Sequence, residues 1–408
     1  MTTAATDDRR DTRLYVVAVV SLTAVQTLST IAFNIAAVLA PAAAPALGVA
    51  VDDLAYYISI VYLVSIVSAM AGGAMALRFG PIRYTQYGLV VSTAACALLA
   101  WGHIAPALLS AVLIGLGGGG LTVASSQILA RVTPRRLSNV TFSIKQSGVP
   151  LGFALAGALV PPAVERFGWQ AASLGIGGLC LLTALAIHPL RQLYDGDRAR
   201  GGPLLPTLRQ TLDPLALAWR DPVLRPLCLA SIAFSSMQTT MVNFAVLYGI
   251  ADLRLDYVAA GVLLSVATTA GMFGRVVWGA VADATRRPLG TLMLLAAVMS
   301  LSGLAMAAAR ADWPGWLLYG VAAALGGTAI GWNGVFISEC ARRAPPGRAG
   351  EYVGATSFFV FLGPVLWPIL FRGILYATDS YAAGFIVMAV ATGAAAIGIA
   401  RLMRRGER

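Results

Sequence analysis

The sequence predicts an all-α membrane protein with twelve transmembrane helices in two pseudo-symmetric six-helix bundles. Three observations carry this. Apolar residues make up 58% of the chain and charged residues only 12%, about half the charged share that keeps a soluble domain's surface in water. That balance excludes a cytosolic enzyme or a secreted domain. Twelve runs reach the roughly 20 residues that a helix needs to cross a ~30 Å hydrocarbon core. The only long hydrophilic connection, 191–222, rich in Arg, Asp, Pro and Gly, separates six runs from six. The alternation over roughly ten residues expected of a membrane barrel is absent.

The first run, 14–40, follows a polar head and is longer than the roughly 7–15 apolar residues of a secretory signal, so it reads as a span. Runs at 54–77, 82–101, 105–130, 138–160 and 169–190 complete the first half. Gly117–Gly120 in the fourth run lacks the Lys-Ser/Thr of a phosphate loop and reads as a close-packing helix face. Pro161–Pro162 are expected to end the fifth. The second half holds runs at 223–250, 257–282, 288–309, 314–341, 350–376 and 380–403. The domain boundaries are therefore 1–190 for the N-terminal bundle, 191–222 for a cytoplasmic linker and 223–408 for the C-terminal bundle. Cys96, Cys180, Cys228 and Cys340 lie in different runs without metal-type spacing and read as packing residues.

Sorting the 29 basic residues orients the chain. Twenty-three fall on one side, three (Arg166, Arg254, Arg310) on the other, and three (Lys145, Arg275, Arg372) within runs. Basic loops stay cytoplasmic, which places both termini in the cytoplasm of a multi-pass protein in a bacterial cytoplasmic (inner) membrane. The net charge of +11 is thereby explained without nucleic acid.

The halves resemble each other at a nearly constant offset. Asn34 maps onto Asn243, Gly120 through Arg131 onto Gly331 through Arg342, and Pro150 onto Pro364, at offsets of 209, 211 and 214. Such internal duplication is common in transporters.

After the eighth run stands Gly279-Ala-Val-Ala-Asp283-Ala-Thr-Arg286-Arg287, and after the second a degraded copy, Gly73-Ala-Met-Ala-Leu77-Arg78-Phe79-Gly80. The glycine is expected to let helices approach, and the aspartate, at a helix C-terminus, to need basic partners. The fifth run carries Gly148-Val-Pro150. With the span count, linker and repeat, these motifs resemble the major facilitator superfamily along the whole chain. The resemblance implies alternating access by two rocking bundles, with Gly73, Arg78, Gly148, Pro150, Gly279, Asp283, Arg286 and Arg287 as gating or conformational residues. Glu339 is read as part of a cytoplasmic charge network. Gly274-Arg275-Val-Val-Trp278-Gly279 is similar to the eighth helix of oxalate/formate antiporters and monocarboxylate transporters, which implies that Arg275 serves a carboxylate. Gly271 stands where the latter carry an acid.

A charge inside a span is costly and generally faces a polar cavity. Lys145, the only lysine, lies about 10 Å into the fifth run and Arg275 about 12 Å into the eighth, both from the cytoplasmic side, at 1.5 Å per residue. All 18 acids fall in tails, loops or span ends. Lys145 and Arg275 are therefore expected to clamp one anion, with Arg372 either a third contact or a side chain snorkelling to the interface. Gln146, expected to point about 100° away from Lys145, Asn34, Asn243, Asn333, Tyr57 and Tyr62 are the neutral candidates for substrate contact. The expected function is secondary transport of a small organic anion, a carboxylate, by proton symport or anion exchange. An efflux transporter for drugs or metabolites is the alternative, and a membrane-embedded enzyme a weaker one. The expected partners are the anion, protons and the lipid bilayer, with no metal, cofactor or nucleic acid, and the working unit is a monomer.

Overall fold

The computed structural model describes residues 2–133, 138–196, 216, 219–343 and 349–406, and every regular element among them is helical. The first half comprises α1 (Thr2–Phe33), α2 (Ile35–Leu47), α3 (Leu54–Phe79), α4 (Pro81–Ala100), α5 (Ile104–Gly119), α6 (Leu121–Val132), α7 (Ser138–Phe167), α8 (Trp169–Ala186) and the short α9 (Arg191–Tyr194). The second comprises α10 (Leu224–Ala251), α11 (Tyr257–Thr285), α12 (Pro288–Ala307), α13 (Gly315–Ala329), α14 (Asn333–Arg343), α15 (Ala349–Thr378) and α16 (Tyr381–Gly406). Each of the twelve expected runs is met by helix, and ten are long and apolar enough to cross a membrane. The other two, α4 and α10, carry more polar residues. Residues 197–215 of the expected linker lie outside the described residues.

Three runs are interrupted where the sequence weakens the helix. The first breaks at Asn34, whose side chain can compete for backbone bonds. The fourth breaks at Gly120 and the tenth across Ile330–Trp332, around Gly331. Glycine costs a helix about 1 kcal/mol relative to alanine. The last two breaks fall at the repeat-related glycines. Pro161–Pro162 do not end the fifth run, since α7 continues to Phe167. Leaving the helix within a bilayer would expose more backbone groups than the two prolines disrupt.

Several acids that the sequence places in loops start helices. Asp221 accepts from the Val223 and Leu224 N–H groups at 2.8 and 2.9 Å, and Asp256 from Ala259 N–H at 2.8 Å. Asp252 accepts from Ala382 N–H at 2.9 Å. Asp195, 2% exposed, accepts from Ile82 and Arg83 N–H at 2.8 and 3.0 Å. Each carboxylate meets the positive end of a helix dipole and its orphan donors.

The chain forms two compact units. The first holds Met1–Val49, Ile60–Phe153 and Ala163–Pro206, and the second Ala50–Ser59, Ala154–Pro162 and Thr207–Arg408. In the first, α4 packs against α5 and α8; in the second, α12 packs on α16, α10 on α15 and α16, and α11 on α13. The partition differs from a cut at the linker because two stretches of the first half bind within the second unit. Ser265 Oγ donates to Ala154 O at 2.8 Å, and the Ala50–Ser59 stretch contributes the acids described below.

Glycines bring paired helices together in both units. A Cβ on Gly115 of α5 would lie 2.7 Å from Val61 O on α3, and one on Gly271 of α11 would lie 2.9 Å from O of Gly326 on α13, the repeat mate of Gly115. Such small-residue contacts are the usual means of close helix approach in a bilayer. The motif glycines do not play this part. A Cβ on Gly279 would meet nothing within 4 Å, and one on Gly73 only ordinary contacts at 3.7 Å and beyond, whereas one on Gly72 would lie 2.9 Å from Gly120 Cα. A Cβ on Gly148 of the other motif would lie 3.0 Å from Thr23 O, so that glycine does face a neighbour, while Pro150 sits within unbroken α7.

Candidate functional site

In the first unit the centre is Lys145 of α7, whose side chain is fully buried. Its Nζ donates to Gln146 Oε1 at 3.2 Å and to Thr122 O at 3.4 Å. Thr122 is the second residue of α6, just past the break at Gly120, and its hydroxyl donates to Gln26 Oε1 of α1 at 3.0 Å. Ser125 and Ser126 hydroxyls also donate to Thr122 O, at 3.0 and 2.7 Å. The ammonium thus sits among neutral oxygens of α6 and α7, and no carboxylate bonds to it among the described residues. An ammonium carries three donors, of which two are used. The expectation that Gln146 points away from Lys145 is corrected, because the flexible amide turns back along the helix to accept from the charge.

Nearby, Tyr15 OH and Thr141 Oγ1, one turn before Lys145, share a hydrogen bond of 2.8 Å that ties α1 to α7. Asn34 is 2% exposed at the α1/α2 break. Tyr62 meets Phe33 edge to face, with centroids 5.1 Å apart.

In the second unit Arg275 of α11 donates through Nε to Ile330 O at 3.2 Å. Trp278, one turn on, donates through Nε1 to Gly327 O at 3.0 Å. Both side chains therefore hold α11 to the interruption of the tenth run. Lys145 and Arg275 come from spans unrelated by the repeat, yet each meets a carbonyl within two residues of the repeat-related Gly120 and Gly331. Asn333 opens α14 just past that interruption.

Along α10 runs a buried polar row. Thr239, Thr240 and Asn243 return their bonds to their own helix, to Ser235 O at 2.7 Å, Ser236 O at 2.9 Å and Thr239 O at 3.1 Å. Trp367 Nε1 of α15 donates to Thr240 Oγ1 at 2.6 Å. Asn243 thus spends an amide donor within α10.

Arg372 of α15 is committed elsewhere. Its Nη2 and Nε reach Asp53 Oδ1 at 2.6 and 3.0 Å, and its guanidinium lies 5.0 Å from the Tyr56 ring centre. Tyr381 OH donates to Asp52 Oδ1 at 2.6 Å. The expected third anion contact is therefore an ion-paired side chain within the second unit, its charge already met by a carboxylate. Tyr57, on the same stretch as these acids, is 9% exposed.

Of the conformational candidates, Glu339 is fully buried and takes Arg342 and Arg343, each at 2.5 Å. Arg286 ends α11 in the left-handed region, φ 53°, its N–H on Asp283 O at 3.3 Å. Asp283 itself is exposed and makes no ion pair with Arg286 or Arg287 among the described residues, because Arg286 contacts it through the backbone. Arg78 lies 5.9 Å from the Phe79 ring centre.

Sequence reasoning passed over Asp195, which stood in the linker with no motif around it. It caps α4 directly after the loop whose motif aspartate is replaced by Leu77. Gly80 precedes α4 at φ 98°, and a Cβ there would lie 2.5 Å from Asp195 Cγ. The left-handed glycine next to an empty motif position was the available signal. The bonds made by Trp278 and Thr122 also escaped notice, since a donor's target leaves no mark in sequence.

Comparison with known proteins fits this architecture. The chain is 28% identical over 105 residues to Probable anion transporter 6, chloroplastic, of Arabidopsis thaliana, a match covering 25% of this chain and 20% of that relative. Two crystal structures of the peptide transporter POT, both of a glutamate-to-glutamine variant and one in complex with sulfate, align with a TM-score of 0.75 at 18% identity. The alignment covers 95% of this chain and 94% of theirs. The family model described as Major Facilitator Superfamily matches residues 22–368. A helical chain with ten evident spans, interrupted repeat-related helices and this family match belongs to the Major Facilitator Superfamily of secondary transporters.

Proposed function

We propose that the protein carries a small organic anion, a carboxylate, across the bacterial cytoplasmic membrane by alternating access, coupled to proton symport or anion exchange. The observation that carries the reading is Lys145, a fully buried ammonium whose bonding partners among the described residues are neutral. No carboxylate among the described residues offsets this ammonium, and an uncompensated site of that sign favours a negative ligand. Lys145 provides a compact point contact, and Arg275 a planar fork suited to carboxylate. The partial relative named an anion transporter agrees in sign. The cytoplasmic placement of both termini rests on the arginine bias.

The test is thermal unfolding of purified protein against formate, lactate, oxalate and succinate, followed by uptake of the stabilising anion into proteoliposomes. The expected result is stabilisation by at least one carboxylate, lost in Lys145→Ala and in Arg275→Ala. Stabilisation by cationic drugs with no response to anions would refute the reading. Uptake driven by an imposed pH gradient, against uptake that needs anion preloaded inside, separates symport from exchange.

A further inference from the structure

Three indoles of the second unit, Trp278, Trp332 and Trp367, differ in one respect. Trp278 and Trp367 each donate Nε1–H to a protein oxygen, at 3.0 and 2.6 Å. Trp332 does not. Its side chain is fully buried, and its Nε1 has no hydrogen-bond partner among the described residues. Buried tryptophan N–H groups normally find an acceptor, because an unmade bond in a dry site is costly.

The surroundings explain the orphan. Trp332 lies inside the interruption of the tenth run, between Ile330, whose carbonyl takes Arg275 Nε, and Asn333, which opens α14. Phe234 of α10 and Phe336 of α14 meet the indole edge to face, each with centroids 5.3 Å apart. The rings fix the indole in place and offer no acceptor. Indole nitrogen is a donor only, so its missing partner must bring a lone pair. A polar group fixed by packing and left unsatisfied at a helix break has the form of a preorganised ligand contact.

We propose that Trp332 Nε1–H is a substrate contact of the second unit, donating to an oxygen of the transported anion, so that Trp332 sets specificity for acceptor-bearing ligands. This rests on the anion-transport reading. Arg275 supplies charge near the same interruption, and Trp332 supplies a directional neutral donor. Such a division fits a carboxylate, whose two oxygens together offer about four acceptor positions.

The experiment compares wild type, Trp332→Phe and Trp278→Phe by carboxylate-dependent thermal shift and by uptake kinetics, using formate, lactate, oxalate and succinate. Phenylalanine keeps a buried ring and deletes the N–H. The expected result for Trp332→Phe is unchanged melting without ligand, a rise of at least fivefold in KM and a correspondingly weakened ligand-induced shift. Trp278→Phe, which orphans a helix carbonyl, is expected to lower melting without ligand. A second readout needs no variant to transport: in protein labelled with 15N-indole tryptophan, the signal missing from Trp332→Phe should move when the stabilising carboxylate is added. Unaltered KM and an unmoved indole signal, in a protein whose wild type responds to carboxylates and whose Lys145→Ala does not, would overturn the proposal while leaving anion transport standing. No carboxylate response in wild type would overturn both.

Discussion

Replacing Lys145 with methionine should make the unliganded protein more stable and abolish transport. Methionine fills similar space with a flexible apolar chain. What it removes are two hydrogen bonds from a charged donor, to Gln146 Oε1 at 3.2 Å and Thr122 O at 3.4 Å. Bonds of that class contribute about 1.5–3 kcal/mol in good geometry. The second lies beyond the usual 2.7–3.2 Å range, so together they return about 2–4 kcal/mol. Taking an ammonium out of water costs several kcal/mol even after relaxation, and exchanging even a buried ion pair for apolar residues of similar size is often neutral or stabilising by about 1–4 kcal/mol. With no carboxylate bonded to Lys145 among the described residues, a gain of about 1–3 kcal/mol is expected. It is read from denaturant unfolding in mild detergent, beside uptake in proteoliposomes. A functional residue that is costly to the resting fold is the usual stability–activity exchange. If Lys145→Met instead destabilised the unliganded protein by 2 kcal/mol or more, Lys145 would be a structural tie, and the anion reading would lose its main support.

Asp195→Ala should destabilise the first unit by about 1–2 kcal/mol, since it removes an N-cap bonded to two backbone donors, measured by the same unfolding assay, with Asp195→Asn recovering part of the loss. Asp53 and Arg372 are roughly one-third exposed, so a double-mutant cycle of Asp53→Ala and Arg372→Ala should give a coupling of only about 0.5–1 kcal/mol. Substrate KM should be unchanged in Arg372→Ala, which separates an ion-paired side chain from a ligand contact. Gly115→Val, with a Cβ 2.7 Å from Val61 O, should cost at least about 1–3 kcal/mol through overpacking. Gly279→Ala, whose Cβ meets open space, should be neutral or stabilising by up to ~1 kcal/mol from helix propensity, read as melting temperature.

The helices were legible because a bilayer imposes one length and one composition, and the runs at 257–282 and 288–309 return as α11 and α12 within a few residues. Lys145 was legible for the same reason, as a lone charge stands out against an apolar run. What failed was the reading of partners. Gln146 was turned from Lys145 by helix geometry, yet a side chain with three torsions can reverse that angle. Gly279 was read from its motif as a packing glycine, when the close contacts belong to Gly274 and Gly271, about one and two turns earlier. Periodicity tells which residues share a face but not which face meets a neighbour. Arg372 is the clearest case, because nothing local in the sequence indicates that a residue near position 372 folds against one at 53.

The interrupted helices connect the repeat to the chemistry. A break leaves carbonyls without their usual helical donors, and the duplicated sequence places one break in each half, at Gly120 and around Gly331. Lys145 reaches from α7 to a carbonyl just past the first break, and Arg275 from α11 to one at the second, so the two halves bring cations to their breaks from different spans. Satisfying a carbonyl takes only a neutral donor, as Trp278 does at Gly327 and the serine hydroxyls do at Thr122. A lysine where serine suffices, bearing a desolvation cost that neutral neighbours do not cancel, is better explained by a ligand than by the break itself. The same comparison separates the indoles: Trp278 completes the backbone at Gly327, whereas Trp332, five residues beyond that carbonyl, has a donor without a partner among the described residues.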